Sequence, residues 1–179
     1  EGKYQFELFD RVIKLCKERD IKVIMGTPTY TGPAWIMQQY PEVLRVNFDR
    51  VVMAHGSRQN YCHTSPKFRE LSRKVTAALA KHYAKEKQII AWQLDNEINN
   101  GVDASYSESD SIAFRAWLKA KYKSLDLLND AWGTTFWSQV YHDWEQVDLP
   151  SPTAQWPNPT RLLDHSRFVS DSAIAFLAE

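Results

Sequence analysis

Cysteine is nearly absent from this chain. Cys16 and Cys62 are the two among 179 residues, and two isolated thiols build neither a disulfide framework nor a four-ligand zinc site. Glycine is scarce as well, at six. The stretch GTPTYTGPAW, residues 26–35, holds two of them but no G-x-G-x-x-G, and Pro28 and Pro33 remove amide donors that a phosphate cradle needs. There is no excess of charge, since 22 basic residues balance 22 acidic ones. No basic block appears, which argues against nucleic acid as a partner. No apolar run is long enough to cross a membrane, which argues against a membrane partner, and no signal peptide opens the chain. The chain lacks an initiator Met and begins in a helix-like segment, as an internal piece would. No Ser-His-Asp order, internal repeat or low-complexity tract is found.

What is present is apolar and aromatic. Hydrophobic residues make up 44% of the chain, with seven Trp and eight Tyr, enough for a sizeable core and too much for disorder. Aromatic rings pack cores, and they also stack on sugars and bases. Phe6, Phe9, Val12, Ile13 and Cys16 recur at helical spacing over residues 4–19, which places Cys16 on a core-facing stripe. The β-branched run IKVIMGT predicts a strand over 21–27. Residues 28–64 are loop-rich, with a short helix over Ala34–Gln39. Ser65 as N-cap and Pro66 at the first helical position open a helix striped by Phe68, Leu71, Val75, Leu79 and His82 or Tyr83. IIAWQLD, residues 89–95, reads as a second strand. So apolar a run predicts burial on both faces, as in a parallel sheet. After Gly101 a polar loop leads to a helix over 110–123, with Ala113, Ala116, Trp117 and Ala120 on one side. Residues 124–158 show no clean period. A last helix covers 159–178, striped by Leu162, Val169, Ala173, Phe176 and Leu177.

This order is β/α alternation, and a helix lies in the connection between the two strands. A doubly wound sheet and a β/α barrel both fit. In either, chemistry collects beyond the carboxyl ends of the strands, where Asp95, Asn96 and Glu97 stand. Two strands make neither a barrel nor a stable open sheet, so the chain reads as a slice of a larger domain.

Glu97 at a strand's carboxyl end has the position of a general acid or base; its other reading is a surface or helix-capping carboxylate. Trp92 and Gln93 just upstream would suit the wall of a sugar site. Arg58, in the loop GSRQNYCHTSP, offers a fork of donors for hydroxyls or a carboxylate, or is a solvated loop side chain. His55, Cys62 and His63 lie close in sequence, but their spacing matches no ligand pattern and no metal is expected.

Together, EGKYQFELFDRVIKLCKERDIKVIMGTPT, GPAWIMQQYPEVL, GSRQNYCHTSPKFRE, WQLDNE, LNDAWGTTFWSQVYHDWEQVDLP and NPTRLLDHSRFVSDSAIAFL resemble segments of glycoside hydrolase family 42, the bacterial β-galactosidases, in order and along nearly the whole chain. The resemblance implies an α/β fold that is part of a (β/α)8 TIM barrel, from about the second barrel helix to the helices after the fourth strand. All of 1–179 would belong to one catalytic domain. It implies retaining hydrolysis of terminal β-D-galactosides, with Glu97 as the acid/base, Asn96 as the asparagine beside it that meets the sugar near its 2-hydroxyl, and Arg58 as the arginine that holds the galactosyl unit. Trp137 matches an aromatic near the pocket or a subunit contact. Many members bind a structural zinc through four cysteines. Cys62 matches the first, but no Cys lies between Glu97 and Glu179, so that site is lost and no metal or other cofactor is implied. The family's nucleophile is a Glu on a later strand, beyond this chain. The resemblance further implies a galactoside or oligosaccharide substrate, a homo-oligomer such as a trimer for the intact protein, and a bacterial cytoplasmic setting. A related retaining glycosidase for β-glucosides, β-mannosides or α-L-arabinopyranosides, or a noncatalytic carbohydrate-binding or structural piece, stays open as an alternative.

Overall fold

The computed structural model describes residues 2–98 and 104–179. Helix α1 (Glu7–Glu18) leads to strand β1 (Val23–Gly26); α2 (Ala34–Gln39) and α3 (Pro66–His82) follow before strand β2 (Ile89–Gln93), and α4 (Glu108–Tyr122), α5 (Leu125–Trp132) and α6 (Pro159–Ala178) complete the order. Single 3-10 turns sit at Pro41–Val43, Phe136–Ser138 and Trp144–Gln146. The polar loop expected after Gly101 begins outside the described residues. Among the described residues, no helix is long and apolar enough to cross a membrane.

The strands pair in parallel, with Ile24 opposite Ala91, Met25 opposite Trp92 and Gly26 opposite Gln93. Parallel strands need a long crossover, and here it comprises α2, α3 and the loop between them. Both strands are shorter than 21–27 and 89–95. The expected burial of β2 on both faces is not met: Ile90 is 62% exposed and Leu94 57%, as is Ile24 on β1 at 64%. Their apolar character suits a sheet with further strands and helices against it, and among the described residues α1 and α3 are what packs there.

Helix ends follow the local chemistry. Ser65 Oγ accepts from Phe68 N at 3.4 Å and Pro66 opens α3, as expected. α4 starts two residues earlier than 110, because Ser107 and Asp110 form a reciprocal capping box. Its buried face is Asp110, Ser111, Phe114 and Leu118, while Ala116 and Ala120 face solvent. The predicted alanine stripe is therefore displaced by the larger Phe and Leu, which gain more from burial. α5 was not anticipated in the aperiodic stretch 124–158. Its signals are terminal: Ser124 Oγ accepts from Leu127 N at 3.3 Å, and Gly133 closes the helix at φ +60°. α6 opens on Asn158, whose Oδ1 accepts from Thr160 N and Arg161 N.

The core falls into three clusters. In the first, Tyr61, Phe68 and Phe176 stack in series, with ring centroids 4.6 and 5.5 Å apart, and join the Arg58 loop to α3 and α6. Tyr61 presses so closely on Gly32 that a Cβ there would lie 2.0 Å from its Oη; no larger residue fits without moving the ring. The second cluster packs α4, α5 and α6 through Phe114, Leu118, Leu128, Trp132 and Phe168. Within it the buried Asp164 accepts from Tyr122 Oη at 2.6 Å, Trp132 Nε1 at 3.0 Å and Lys121 Nζ, so one carboxylate ties all three helices. The third joins α1 to β1 and α3 through Ile13, Met25, Leu79 and Tyr83. Cys16 is only half-buried, and Phe9 and Val12 are 48% and 47% exposed. The outer half of the α1 stripe is therefore about half-exposed among the described residues.

Two histidines sit within these clusters. His63 lies flat on Phe176, centroids 4.8 Å apart, and His165 packs on Tyr106 and edge-on to Phe114. Burial disfavours the imidazolium and holds each at about 4 instead of 6.5. The unfolded chain then takes up protons first on acidification. Stability is full above about pH 6.5 and falls as pH drops toward 4. The expected outcome is a melting temperature that declines over that window by roughly 5–10 °C. Thermal scans across pH check it, and replacement of His63 by Phe should flatten the slope.

Candidate active site

The carboxyl ends of β1 and β2 meet at a turn, Asp95–Glu97, with an unusual backbone. Asp95 has φ +54° and Glu97 φ +44°, in the left-handed region that L-residues other than Asn and Asp seldom adopt. The turn is held from within by Asp95. Its side chain is 5% exposed and accepts from Thr29 Oγ1 at 2.7 Å through Oδ2 and from Asn96 N at 2.6 Å through Oδ1. Its own N–H donates to Thr27 Oγ1 at 2.7 Å. Residues just past β1 thus fix residues just past β2, and the two bonds accepted by the carboxylate are of the stronger, charge-assisted kind.

Reversal at Asp95 turns Asn96 and Glu97 outward. Asn96 Oδ1 accepts from Gln93 Nε2 at 2.7 Å, which presents its NH2 group as the donor end. Glu97 is half-exposed and its Oε2 lies 3.3 Å from Arg58 Nη2. The Arg58 guanidinium rests over the Tyr30 ring, 5.4 Å from its centroid. Arg58, Asn96 and Glu97 are therefore gathered at one end of the strands. Trp137 is not among them. It is 57% exposed, has φ +55° and lines a separate concavity of about 600 Å³ with Tyr141, His142, Trp156 and Arg161.

Chemically, the cluster offers a carboxyl group at a solvent-open rim, an adjacent amide donor and a fixed cation beside the carboxylate. That is equipment for proton transfer beside a hydrogen-bond donor. The sequence reading placed Asp95 at the strand end but not its role as internal anchor, which is carried by contacts to residues 66 and more positions away, and it missed Gln59, which reaches the backbone of the turn. Neither has a periodic signature.

The fold is that of a segment of a (β/α)8 barrel, with Arg58, Asn96 and Glu97 gathered at the strands' carboxyl ends. A family profile described as β-galactosidase, glycoside hydrolase family 42, matches residues 1–179. The chain belongs to that family. It is 40% identical to β-galactosidase BgaA of Thermus sp over 176 residues, 98% of this chain and 27% of that protein. It is 41% identical to β-galactosidase GanA of Bacillus subtilis over 177 residues, 98% and 26%. The solved structure of the β-galactosidase from the psychrophilic Marinomonas ef1 superposes with a TM-score of 0.94 at 36% identity, over 98% of this chain and 27% of that one. The chain spans about a quarter of the length of these relatives. The catalytic domain of a Paenibacillus polymyxa β-amylase superposes at TM-score 0.68 and 15% identity, a likeness of fold alone.

A four-cysteine zinc site of the kind found in the family does not fit the residues around Cys62. The Cys62 Sγ is fully buried and lies 2.9 Å from Thr64 Oγ1, 3.2 Å from Ser107 Oγ and 3.2 Å from Asp110 Oδ2. Burial pushes this thiol up, with the Asp110 charge adding to it, whereas zinc takes the thiolate. The Asp110 carboxylate is already engaged by Ser107 N, Ser107 Oγ and Thr64 Oγ1, at 2.9, 2.7 and 2.7 Å. Among the described residues, no group of three or more His, Cys, Asp or Glu side chains converges. The network ties the loop after Arg58 to the start of α4 by hydrogen bonds.

Because Asp95 anchors the turn, Asp95→Ala should lower unfolding stability by about 2–4 kcal/mol, through lost charge-assisted hydrogen bonds and an alanine at positive φ. Asp95→Asn, which keeps an acceptor and suits that backbone, should cost less than half as much. Urea denaturation of the two variants measures both.

Proposed function

We propose that this chain is one part of a single catalytic barrel domain of a retaining β-galactosidase, and that it contributes the acid/base half of the active site. The observation that carries the reading is the Arg58–Glu97 pair at the strand end, in a chain whose family relatives are β-galactosidases. Glu97 gives its proton to the leaving glycosidic oxygen. A second carboxylate, supplied by a part of the protein outside these residues, attacks the anomeric carbon from about 5 Å away and forms a glycosyl ester. Proton donation leaves a carboxylate on Glu97, which the neighbouring Arg58 stabilises. That carboxylate then takes a proton from the water that releases galactose. Asn96 donates through its side-chain NH2 toward the sugar's 2-hydroxyl, and Arg58 adds donors to the galactosyl hydroxyls. Trp137, on its separate rim, is an aromatic for the pocket entrance or for a neighbouring subunit in a homo-oligomer. The substrate is a terminal β-galactoside, alone or at the end of an oligosaccharide.

In the full-length protein, Glu97→Gln should lower turnover of lactose by about 10²–10⁴-fold. The kcat/KM for dinitrophenyl β-galactoside should fall far less, because that leaving group departs without a proton. Added azide should partly restore turnover of the aryl substrate by replacing the activated water. Wild-type rates on lactose would remove Glu97 from the mechanism. Proton NMR of the first-formed sugar tests retention: β-galactose is expected, and initial α-galactose would overturn it. A panel of nitrophenyl glycosides sets galactosides against glucosides, mannosides and α-L-arabinopyranosides.

A further inference from the structure

The turn that carries Glu97 has a left-handed backbone at two of its three residues, strained at Glu97, and reaches the solvent-open side of the strands. Such a backbone persists only when its surroundings over-determine it. Asp95 holds the inner side. On the outer side, the Gln59 Nε2 donates to the carbonyl oxygen of Asn96 at 3.4 Å and to that of Glu97. Two neighbouring carbonyls ask for a neutral group with two N–H bonds, and a primary amide supplies it. Gln59 is itself held by its backbone and by burial. The residue is 8% exposed, its backbone sits at φ +59°, and its N–H donates to Tyr30 O at 3.2 Å. Tyr30 in turn carries the Arg58 guanidinium over its ring.

We infer that Gln59 is a positioning residue for the acid/base carboxylate: its amide fixes the main chain of Glu97 while its neighbour Arg58 meets the side chain. Consecutive residues of one loop thus grip both ends of the same glutamate. The inference rests on Glu97 being the acid/base. It adds that the aim of the carboxyl group, and so the efficiency of proton donation, depends on an amide that touches neither substrate nor reacting atoms. Displacing a catalytic group by about 1 Å can cost up to about 10²-fold in rate. A loss of this kind falls on substrates that need the proton.

The test uses the full-length protein with Gln59→Met, which keeps the side chain's length but loses both donors. Gln59→Asn is the second variant: it keeps the amide and suits the left-handed backbone but stops one methylene short of the carbonyls. For each, kcat/KM is measured on lactose and on dinitrophenyl β-galactoside, beside Glu97→Gln and with thermal melts. Either variant that folds should lose about 10–100-fold on lactose, with the loss on the dinitrophenyl substrate at least tenfold smaller and KM little changed. Equal losses on both substrates, tracking a lowered melting temperature, would make Gln59 a purely structural loop residue and overturn the inference. So would lactose rates within twofold of wild type while Glu97→Gln shows the leaving-group selectivity. If Glu97→Gln itself shows no selectivity, the acid/base reading fails, and the inference with it.

Discussion

A carboxylate removed from water must be met by donors, and around Asp95 that requirement organises the strand ends. Its side chain is closed off from solvent and answered by a hydroxyl from beyond β1 and an amide from the following residue. Removing any donor would leave a buried charge short of partners, which costs more than the hydrogen bond adds when present. The two parallel strands therefore cannot slide past each other without breaking it. The left-handed turn, the outward aim of Asn96 and Glu97, and the proximity of Arg58 all follow from a pin buried beneath the site.

Around the pin the loop of residues 56–65 acts as an outer brace. It is fastened at three levels by three kinds of force. Tyr61 joins an aromatic stack with α3 and α6, Cys62 and Thr64 join the hydrogen-bonded group at the start of α4, and Arg58 and Gln59 reach the turn itself. Gly32 is part of the same arrangement, since only a residue without a side chain lets Tyr61 come so near. Ser107 and Asp110 close the gap around a protonated thiol, and the connection is spread over several bonds.

Much of this was legible in the sequence because it is written in local chemistry. Ser65-Pro66 announces α3, and the runs at Val23 and Ile89 announce strands. Polar residues after an apolar strand mark the working end of a parallel sheet, so Asp95, Asn96 and Glu97 stood out, though not the anchoring contacts of Asp95. The resemblance of several ordered segments then gave the barrel and the family. What escaped has physical reasons. The eight residues of α5 are too short to display a period among scattered aromatics, although Ser124 and Gly133 bracket them. The core face of α4 was set by the volume of Phe114 and Leu118 rather than by a run of alanines. Burial of β2 was overstated because an apolar run signals an affinity for packing partners, and among the described residues Ile90 and Leu94 stay exposed. Asp95 and Gln59 act across dozens of residues, and contacts of that range leave no spacing to read.

The division of the core into three clusters gives the molecule an uneven mechanical character. The helical assembly of α4, α5 and α6 is closed on all sides around Phe114, Leu118 and Leu128, each without exposed surface, and Asp164 bonds its members to one another. The cluster under the strands has four buried residues and borders open apolar faces. Free energies of local opening scale with such differences in packing. Amide hydrogens of the helical assembly would exchange with solvent only through near-complete unfolding, while those of β1 and β2 would exchange through smaller excursions. The end that carries Glu97 is thus a compliant lip on a stiff block, and the strength of the acid's grip on its geometry comes from the braces across the lip rather than from the core beneath it.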